Sequence, residues 1–448
     1  MSAQTARGMR DFLPEDTRRR NRVATTIQSV FQRYGYEPME TPAVERIETL
    51  LGKYGEEGDQ LLFKILKRGE GARLGEVDLG LRYDLTVPLA RVVAMNAGKL
   101  VYPFKRYQMS PVWRADRPQK GRFREFVQCD VDIVGTASLL ADAELIAVAH
   151  DALTDLGFVN EFRIHLNHRQ VLRGIVESAG VAVDREGDVL VSLDKFDKIG
   201  VDGVCKELEQ RGFESHVVDR LRVLMDATDA NPDSGLDIIH EFVQSSPTGK
   251  VGLLQLKEMV GVLGAYGFPP GSVIVNPVLA RGLSYYTGPV FEATISGFSG
   301  SVAGGGRYDN LVGMFSGQSI PATGISLGFE RLVVIMEERG MFSDLPCPVG
   351  VLVTRMGPEF LYDSIEFAQQ LRAIGVSVEL IYEDRKLAKQ LKHADARSIP
   401  VAAIIGPDEK AKGTVILKDL RRGSQHEVPR ADAGDQVKRL LSDITGSR

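Results

Sequence analysis

Residues 112–135 show the most informative alternation of hydrophobic and polar side chains in the chain. An apolar and aromatic run ends at Trp113, a basic loop follows, and beyond the loop the residues alternate strictly in character. A period of two is typical of a β-strand with one buried face, so the segment predicts strand, loop and strand. The second strand then has two faces, one with Phe126, Gln128, Asp130 and Asp132 and the other with Val127, Cys129, Val131 and Ile133.

The polar face of this strand has two interpretations. An amphipathic strand can turn such a face to water. The loop favours a ligand site, because a cationic loop over carboxylates and an amide suits a ligand with phosphates at one end and a cation at the other. The basic residues of the loop are Arg114, Arg117, Lys120, Arg122 and Arg124, against Asp116 and Glu125.

Asp84 and Thr86 stand where one pattern gives way to another. Predicted strands at 61–66 and 77–83 precede them, and an apolar run in which Pro88 can begin a helix follows. Either side chain could therefore cap that helix, which remains an alternative to a binding role.

Helical periodicity predicts three longer helical regions. One starts at Pro14 and ends near Gly35, a second covers 139–156, and a third, 168–266, consists of several helices with polar connections. The third region is predicted to be an inserted helical module.

Strand patterns return after the module. The glycines at 304–306 fit a close approach of the backbone to a ligand, although a turn or bulge is an equally simple reading. Further on, a strand continues through Gly328 into an apolar helix that carries Arg331 near its start. A core helix of this kind would hold Arg331 rigidly.

A linker is predicted at 341–348, where two prolines lie. Strand and helix patterns alternate from 349 to 448, which predicts a compact α/β domain. Its second helix, 385–397, is rich in lysine and arginine. Such a helix either faces solvent or follows a phosphate backbone.

Composition narrows the functional classes. The chain has 448 residues, 43% of them hydrophobic, and a net charge of −5, which is ordinary for a globular protein of two or three domains. Three well-separated cysteines argue against a disulfide framework and for a reducing compartment, with the cytoplasm as the default. No apolar run is long enough for a membrane span, and the N-terminus lacks the apolar core of a signal peptide.

Several common catalytic motifs are missing from the sequence. It contains no GxxxxGK[ST] loop, no GxGxxG between strand and helix and no GxSxG elbow, and its seven histidines show neither HExxH nor clustered spacing. A nucleotide would therefore be held by side chains, and no metal site is expected.

Taken together, the motifs resemble those of class II aminoacyl-tRNA synthetases. The segments GMRDFLPED, RADRPQKGRFREFVQCDVDIVG and TGISLGFERL are similar to the three signature motifs of that class. The segments ARGLSYYTGPVFE, VAGGGRYDNL and LRYDLTVPLAR resemble signatures of histidyl-tRNA synthetases, and the C-terminal region resembles that family's anticodon-binding domain. The resemblance covers essentially the whole chain.

This resemblance implies an α+β fold. We expect a class II catalytic domain at 1–340 with a six-stranded antiparallel sheet and the helical insertion at 168–266, and an anticodon-binding α/β domain at 349–448. It further implies a homodimer that binds L-histidine, ATP with Mg²⁺, and histidine tRNA. The activity implied is formation of histidyl-adenylate followed by transfer of histidine to the tRNA 3′ end.

The family's residue roles carry over to matching positions here. The α-amino group of histidine is expected to contact Asp84, Thr86 and Gln128, with Leu85 beside them, and the imidazole is expected to contact Asp132 and Tyr286, with Tyr285 alongside. Arg281 and Arg114 would act catalytically, facing the substrate carboxylate and the α-phosphate. The remaining expectations are Asp116, Arg122 and Arg331 for ATP, and Arg117, Gln119 and Lys120 for the tRNA acceptor end. Ser284 departs from the family pattern, in which many members have Asp.

Two rival functions share this fold. A regulatory paralogue would bind histidine without charging tRNA, but such proteins usually lack the anticodon domain and have lost the motif arginines. A non-catalytic tRNA sensor is disfavoured because Arg114, Arg281 and Arg331 are all present.

Overall fold

A large, mostly antiparallel sheet forms the centre of the first part of the chain. The computed structural model describes residues 3–119, 121–280 and 285–445, apart from the side chains of 55–57 and 443–445. The described chain divides into two compact units, and the first ends at Phe342 and the second begins at Ser343.

The strands of the first unit are β1 (Glu37–Pro38), β2 (Val44–Arg46), β3 (Lys64–Leu66), β4 (Val77–Leu81), β5 (Phe104–Trp113), β6 (Glu125–Val134), β7 (Phe162–His168), β8 (Val273–Val275), β9 (Pro289–Ile295), β10 (Ser301–Arg307) and β11 (Ala322–Leu327). Its helices are α1 (Pro14–Arg33), α2 (Ile47–Leu50), α3 (Gly55–Gln60), α4 (Glu70–Arg73), α5 (Thr86–Asn96), α6 (Leu139–Asp155), α7 (Arg169–Ser178), α8 (Glu186–Leu193), α9 (Phe196–Gln210, kinked at Gly200), α10 (Ser215–Ala230), α11 (Gly235–Phe242), α12 (Pro247–Gly264), α13 (Gly313–Ser316) and α14 (Phe329–Glu338).

Eight strands form the central sheet in the order β1-β5-β6-β11-β10-β9-β7-β8. The six inner strands, from β5 to β7, pair antiparallel, whereas the edge strands β1 and β8 pair in parallel. The expected six-stranded antiparallel sheet is therefore confirmed, with one short parallel strand added at each edge. A separate small sheet has the order β2-β4-β3.

The two faces of β6 separate as the alternation predicts. Cys129, Val131 and Ile133 belong to the main hydrophobic core, which also contains buried side chains of α1 and α6. The opposite face is not turned to bulk water, because Asp130 and Asp132 are also buried. The amphipathic-strand alternative is thus wrong, and the polar face requires another explanation.

The helix after Asp84 begins earlier than Pro88. Helix α5 starts at Thr86, and the backbone N–H of Val87 donates to Asp84 Oδ1 at 3.0 Å. Asp84 therefore caps the first turn, as one alternative proposed, while its other atoms remain available for a second role.

The glycines at 304–306 lie inside strand β10 and not in a turn. A β-carbon on Gly305 would lie 2.1 Å from the carbonyl oxygen of Gly324 on β11, so this position excludes a side chain. The register irregularity in β10 lies earlier, between Ser301 and Ala303. At Gly305 a neighbouring strand makes the close approach, and the approach to a ligand stays a prediction.

The second unit is an α/β domain built on a five-stranded sheet of order β13-β12-β14-β15-β16. Its elements are β12 (Val351–Val353), α15 (Leu361–Ala373), β13 (Val378–Leu380), α16 (Leu387–Ala396), β14 (Val401–Ile404), α17 (Pro407–Lys412), β15 (Thr414–Asp419), β16 (Gln425–Pro429) and α18 (Ala433–Thr445). The alternation of strands and helices predicted from 349 onward is present. Within the described residues of both units, no helix has the length and apolar character needed to cross a bilayer.

Candidate active site

A cavity of about 350 Å³ lies over the polar face of β6 and extends across β11 and β10. This volume is in the range of small-molecule sites. Ten of the residues singled out from the sequence line it: Asp84, Thr86, Arg114, Asp116, Arg122, Gln128, Asp132, Tyr285, Tyr286 and Arg331. The fold therefore brings together side chains from four separate stretches of the chain.

Other predicted residues have a different placement. Leu85 is fully buried in the first unit, and its carbonyl oxygen accepts a hydrogen bond from Arg106 at 3.3 Å, so its side chain is a packing element. Arg117 and Gln119 are not among the residues that line the cavity, and Gln119 forms a backbone bridge with Arg122. Lys120, Arg281 and Ser284 lie outside the described residues.

One end of the cavity is organised around Asp132. Arg106 on β5 lies opposite Asp132 in the sheet register, and its Nη2 is 2.7 Å from Oδ2 of Asp132. The hydroxyl of Tyr308 donates to Oδ1. Burial raises the pKa of Asp132, whereas Arg106 and the Tyr308 hydrogen bond oppose that rise. The carboxyl group is thus held in one orientation by a cation and a hydroxyl.

Gly324 on β11 makes room for this carboxylate. It lies opposite Asp132 in the sheet register, and a β-carbon there would lie 1.9 Å from Asp132 Oδ1. Any side chain at this position would displace the acid.

Asp84 forms a second acidic point on the wall. Besides capping α5, its Oδ1 accepts a hydrogen bond from the hydroxyl of Tyr54 at 3.1 Å. Burial raises the pKa of Asp84, and the hydrogen bond from the Val87 backbone opposes it. Tyr285 and Tyr286 complete this end, with ring centroids 4.8 Å apart.

Asp130 also lines the cavity, between Gln128 and Asp132 on the same face of β6. Burial and the neighbouring Asp132 raise the pKa of its carboxyl group to about 7. Arg106 and a hydrogen bond with Ser326 act in the opposite direction. Three carboxyl groups are therefore concentrated at this end of the cavity.

The other end of the cavity is basic. The guanidinium of Arg114 lies over the ring of Tyr83 at 4.3 Å and near the ring of Phe126 at 5.2 Å, and its Nε donates to the carbonyl oxygen of Tyr83 at 3.0 Å. Contacts with two aromatic rings and the hydrogen bond to Tyr83 favour one orientation of the cation. Arg114 therefore enters the cavity as an oriented positive charge.

Arg331 and Arg122 reach the same end from different elements. Arg331, on the first turn of α14, donates from Nη1 to the carbonyl oxygen of Ser301 and lies 3.3 Å from the Ser301 hydroxyl. Arg122 is more exposed, and its Nη1 is 3.9 Å from Asp116 Oδ1. Both arginines line the cavity, Arg122 from the basic loop and Arg331 from the helix on which it was expected.

Glu330 ties the N-terminal segment to this end of the cavity. It pairs with Arg10 at 2.5 Å and Arg20 at 2.6 Å, and it accepts the backbone N–H of Val127 at 3.2 Å. Although its burial opposes the effect, these arginines hold the pKa of Glu330 below its ordinary value. Arg10 also stacks on Phe123 of the loop, with 3.3 Å from its guanidinium carbon to the ring centroid.

Sequence reasoning missed Arg106, Tyr308 and Glu330 as parts of the site, and it placed Asp130 on the polar face without giving it a role. Two signals could have found the first two. Arg106 is a charged residue in the strand that precedes the basic loop, and Tyr308 directly follows the glycine-rich strand. The cross-strand register that joins both to Asp132 is not visible in one sequence.

Comparison with known proteins agrees with this geometry. Residues 8–332 match the family described as histidyl-tRNA synthetase, and residues 350–440 match the anticodon binding domain. The histidine–tRNA ligase of Gloeobacter violaceus is 40% identical over 97% of this chain and 98% of its own length. The histidine–tRNA ligase of Cytophaga hutchinsonii is 40% identical over 94% of this chain and 96% of its own length.

A solved structure gives the same result for the fold. The histidyl-tRNA synthetase from Nostoc superposes with a TM-score of 0.82 at 33% identity, covering 98% of this chain and 99% of that one. The α+β architecture, with its antiparallel catalytic sheet and C-terminal α/β unit, is therefore that of a class II synthetase. Since a family match and full-length relatives agree, the chain belongs to the histidyl-tRNA synthetase family.

Proposed function

We propose that this protein joins L-histidine to ATP, releasing pyrophosphate, and then transfers histidine from the adenylate to the 3′ end of its tRNA. The observation that carries the proposal is the polarity of the cavity, which has buried carboxyl groups at one end and oriented arginines at the other. Histidine brings a cation and an imidazole to the first end, and ATP brings phosphates to the second.

The acidic end is proposed to bind histidine. The α-ammonium group would contact Asp84, Thr86 and Gln128, and the imidazole would contact Asp132 and Tyr286, with Tyr285 packed beside the ring. An imidazole has two ring nitrogens to satisfy. An amino acid without them would leave part of the hydrogen-bonding capacity of this buried site unsatisfied, and sites of this kind reject such analogues by roughly 10⁴-fold or more.

The basic end is proposed to bind ATP. Arg114 would contact the α-phosphate, and Asp116, Arg122 and Arg331 would surround the adenine and the outer phosphates. Arg281 is proposed to face the substrate carboxylate and the α-phosphate. Guanidinium groups suit this task because they stay charged and can bind two phosphate oxygens at once.

Adenylate formation needs alignment more than acid–base catalysis. The attacking carboxylate of histidine has a pKa of about 3.5 and is already ionised at neutral pH, so it needs no general base. Its oxygen attacks the α-phosphorus and pyrophosphate leaves. Arg114, fixed by Tyr83 and Phe126, would stabilise the negative charge that builds on the α-phosphate oxygens in the transition state.

Magnesium enters this proposal as part of the ATP substrate. Mg²⁺ binds phosphate oxygens and water and takes only one or two carboxylates from a protein. Asp116 is a carboxylate that lines the cavity beside Arg122, and its position fits such a minor contact.

The tRNA is proposed to meet both units. The loop tip, with Arg117, Gln119 and Lys120, would contact the acceptor end, and the C-terminal unit at 349–448 would bind the anticodon. We also propose that the protein is a cytoplasmic homodimer, in keeping with its family and with its three separate cysteines. Sedimentation of the purified protein tests the dimer.

Histidine-dependent exchange of labelled pyrophosphate into ATP tests the proposed activity. Pure protein should catalyse the exchange with histidine but not with the other nineteen amino acids, and should then charge the histidine tRNA. A protein that binds histidine yet gives no exchange would contradict the proposal and would favour a regulatory role.

A further inference from the structure

Asp130 is a buried acid that the roles above leave without a task. It lies on β6 between Gln128 and Asp132, on the face that forms the floor of the cavity. Its relative exposure is 3%, so bulk water does not solvate the carboxyl group. A buried carboxyl group needs hydrogen bonds or a counter-charge to offset its desolvation.

The neighbouring strands satisfy only part of the Asp130 carboxyl group. Ser326 on β11 and Gln108 on β5 lie opposite it in the sheet register. Ser326 forms a hydrogen bond with the carboxyl group. The Oδ1 atom of Asp130 is buried and has no hydrogen-bond partner among the described residues.

The other two acids of this end differ in this respect. Asp132 Oδ2 also lacks a hydrogen bond among the described residues, but it forms an ion pair with Arg106 at 2.7 Å, and Tyr308 donates to Asp132 Oδ1. Asp84 Oδ1 already accepts hydrogen bonds from Tyr54 and the Val87 backbone. Asp130 therefore offers an acceptor that the protein does not already use. A substrate with a cationic nitrogen can satisfy it.

The charges around Asp130 set its protonation. The titratable and charged side chains that interact with it are Asp132 on β6, Arg106 on β5, Asp84 before α5, and Tyr285. Burial and the nearby Asp132 raise the pKa of Asp130 to about 7, so a large fraction of the groups is protonated at neutral pH. A cation placed beside it would reverse that effect, because an opposite charge favours the ionised form.

We propose that Asp130 is a further substrate-binding residue, whose carboxylate accepts a hydrogen bond at Oδ1 from the α-ammonium group of histidine. Histidine binding should then favour the ionised form of Asp130 and release protons. The α-ammonium group is the permanent cation of the amino acid and has three N–H donors. Gln128, two residues away on the same face, is already proposed to contact it. This inference rests on the proposed function, since it assumes histidine as the substrate.

The test compares Asp130→Asn with the unaltered protein by calorimetry at pH 7, in two buffers of different ionisation enthalpy. Asparagine keeps the shape but cannot ionise. The dissociation constant of histidine should rise roughly 10- to 100-fold, as expected for loss of a hydrogen bond to a charged group. Proton release on histidine binding should be smaller in Asp130→Asn than in the unaltered protein, because the asparagine side chain has no proton to lose.

An analogue isolates the group that Asp130 contacts. 3-(Imidazol-4-yl)propionate keeps the imidazole and the carboxylate but lacks the amino group, so its dissociation constant should change by no more than about twofold in Asp130→Asn. Equal weakening of histidine and the analogue would overturn the proposal, as would unchanged proton release. Asp151→Asn, a carboxyl-to-amide change on α6 outside the cavity, is the matched control and should behave as the unaltered protein does.

A second variant keeps the test decisive if Asp130→Asn does not fold. The Ser326 hydrogen bond lowers the pKa of Asp130, so Ser326→Ala should raise it and move the midpoint of the pH dependence of histidine affinity upward. Affinity should increase as pH rises through that midpoint, because the ionised form binds. An unmoved midpoint would overturn the proposal. Pyrophosphate exchange by the unaltered protein reports separately on the proposed function.

Discussion

The two ends of the cavity hold their charges in different ways. At the acidic end, Arg106 and Asp132 are 2.7 Å apart, with side chains 0% and 4% exposed. At the basic end, Arg122 and Asp116 are 3.9 Å apart, and the arginine side chain is 55% exposed. A buried pair has little screening and costs much to break, whereas an exposed pair contributes little to stability and weakens in salt.

This difference separates selectivity from attraction. The fixed acids can reject the wrong amino acid because a poor fit leaves some of their hydrogen-bond acceptors unsatisfied. Exposed arginines draw in any polyphosphate, whereas Arg114 is oriented by contacts with the rings of Tyr83 and Phe126. Substitutions at the acidic end should therefore change histidine binding and stability, and substitutions at the basic end should change ATP binding or turnover.

The largest effect on turnover is expected for Arg114→Ala, which removes the oriented charge proposed for the transition state. Pyrophosphate exchange should fall roughly 10²- to 10³-fold, as when one preorganised donor is lost elsewhere. The matched control is Arg185→Ala, whose guanidinium also lies 4.3 Å from an aromatic centroid, that of Phe213, in the helical segment. If both variants lost activity equally, Arg114 would have no special role.

Asp132→Asn should raise the Michaelis constant for histidine roughly 100-fold while that for ATP changes less than about threefold. The structure adds a stability effect to the same position. Asp132→Ala leaves Arg106 buried without its partner and should lower the free energy of unfolding by about 3 kcal/mol or more. Denaturant unfolding of both variants measures the stability effect. Equal rises in the Michaelis constants for histidine and ATP would contradict the assignment of the acidic end to histidine and the basic end to ATP.

Gly324→Ala should act on the acidic end without removing any charge. The added β-carbon would lie 1.9 Å from Asp132 Oδ1, so the carboxylate must move. We expect the histidine Michaelis constant to rise roughly 10-fold, since small misplacements of a binding group are costly. Gly261→Ala on α12, where a β-carbon meets nothing within 4 Å, is the control and should leave this constant unchanged.

The smallest effect is expected for Arg122→Ala. Because its side chain is largely exposed, the free energy of unfolding should change by less than about 0.5 kcal/mol. The Michaelis constant for ATP should rise a few-fold in dilute buffer, and the rise should shrink as salt is added. A large loss of stability would contradict the view of this end as an exposed set of charges.

The sequence predicted the floor of this site well because one strand carries most of it. Period two in β6 placed Gln128, Asp130 and Asp132 on one face, and that face lines the cavity. The neighbouring loop supplied Arg114 and Arg122 in the same way, since residues close in sequence share one local structure.

Contacts that depend on register between distant strands could not be predicted. Arg106, Tyr308 and Gly324 reach Asp132 from three other strands or strand ends, and a shift of one residue in any pairing would turn them away. Leu85 illustrates the converse, because it lies between two lining residues yet its side chain packs in the interior. The start of α5 at Thr86 and the burial of the polar face of β6 likewise depended on tertiary contacts.

A crystal structure with a non-hydrolysable histidyl-adenylate analogue tests the central claim most directly. The account predicts the imidazole beside Asp132 and Tyr286, and the phosphate-like group beside Arg114. It also predicts the adenine toward Arg331. An analogue bound in the opposite direction, or with its imidazole away from Asp132, would contradict the assignment of the two ends.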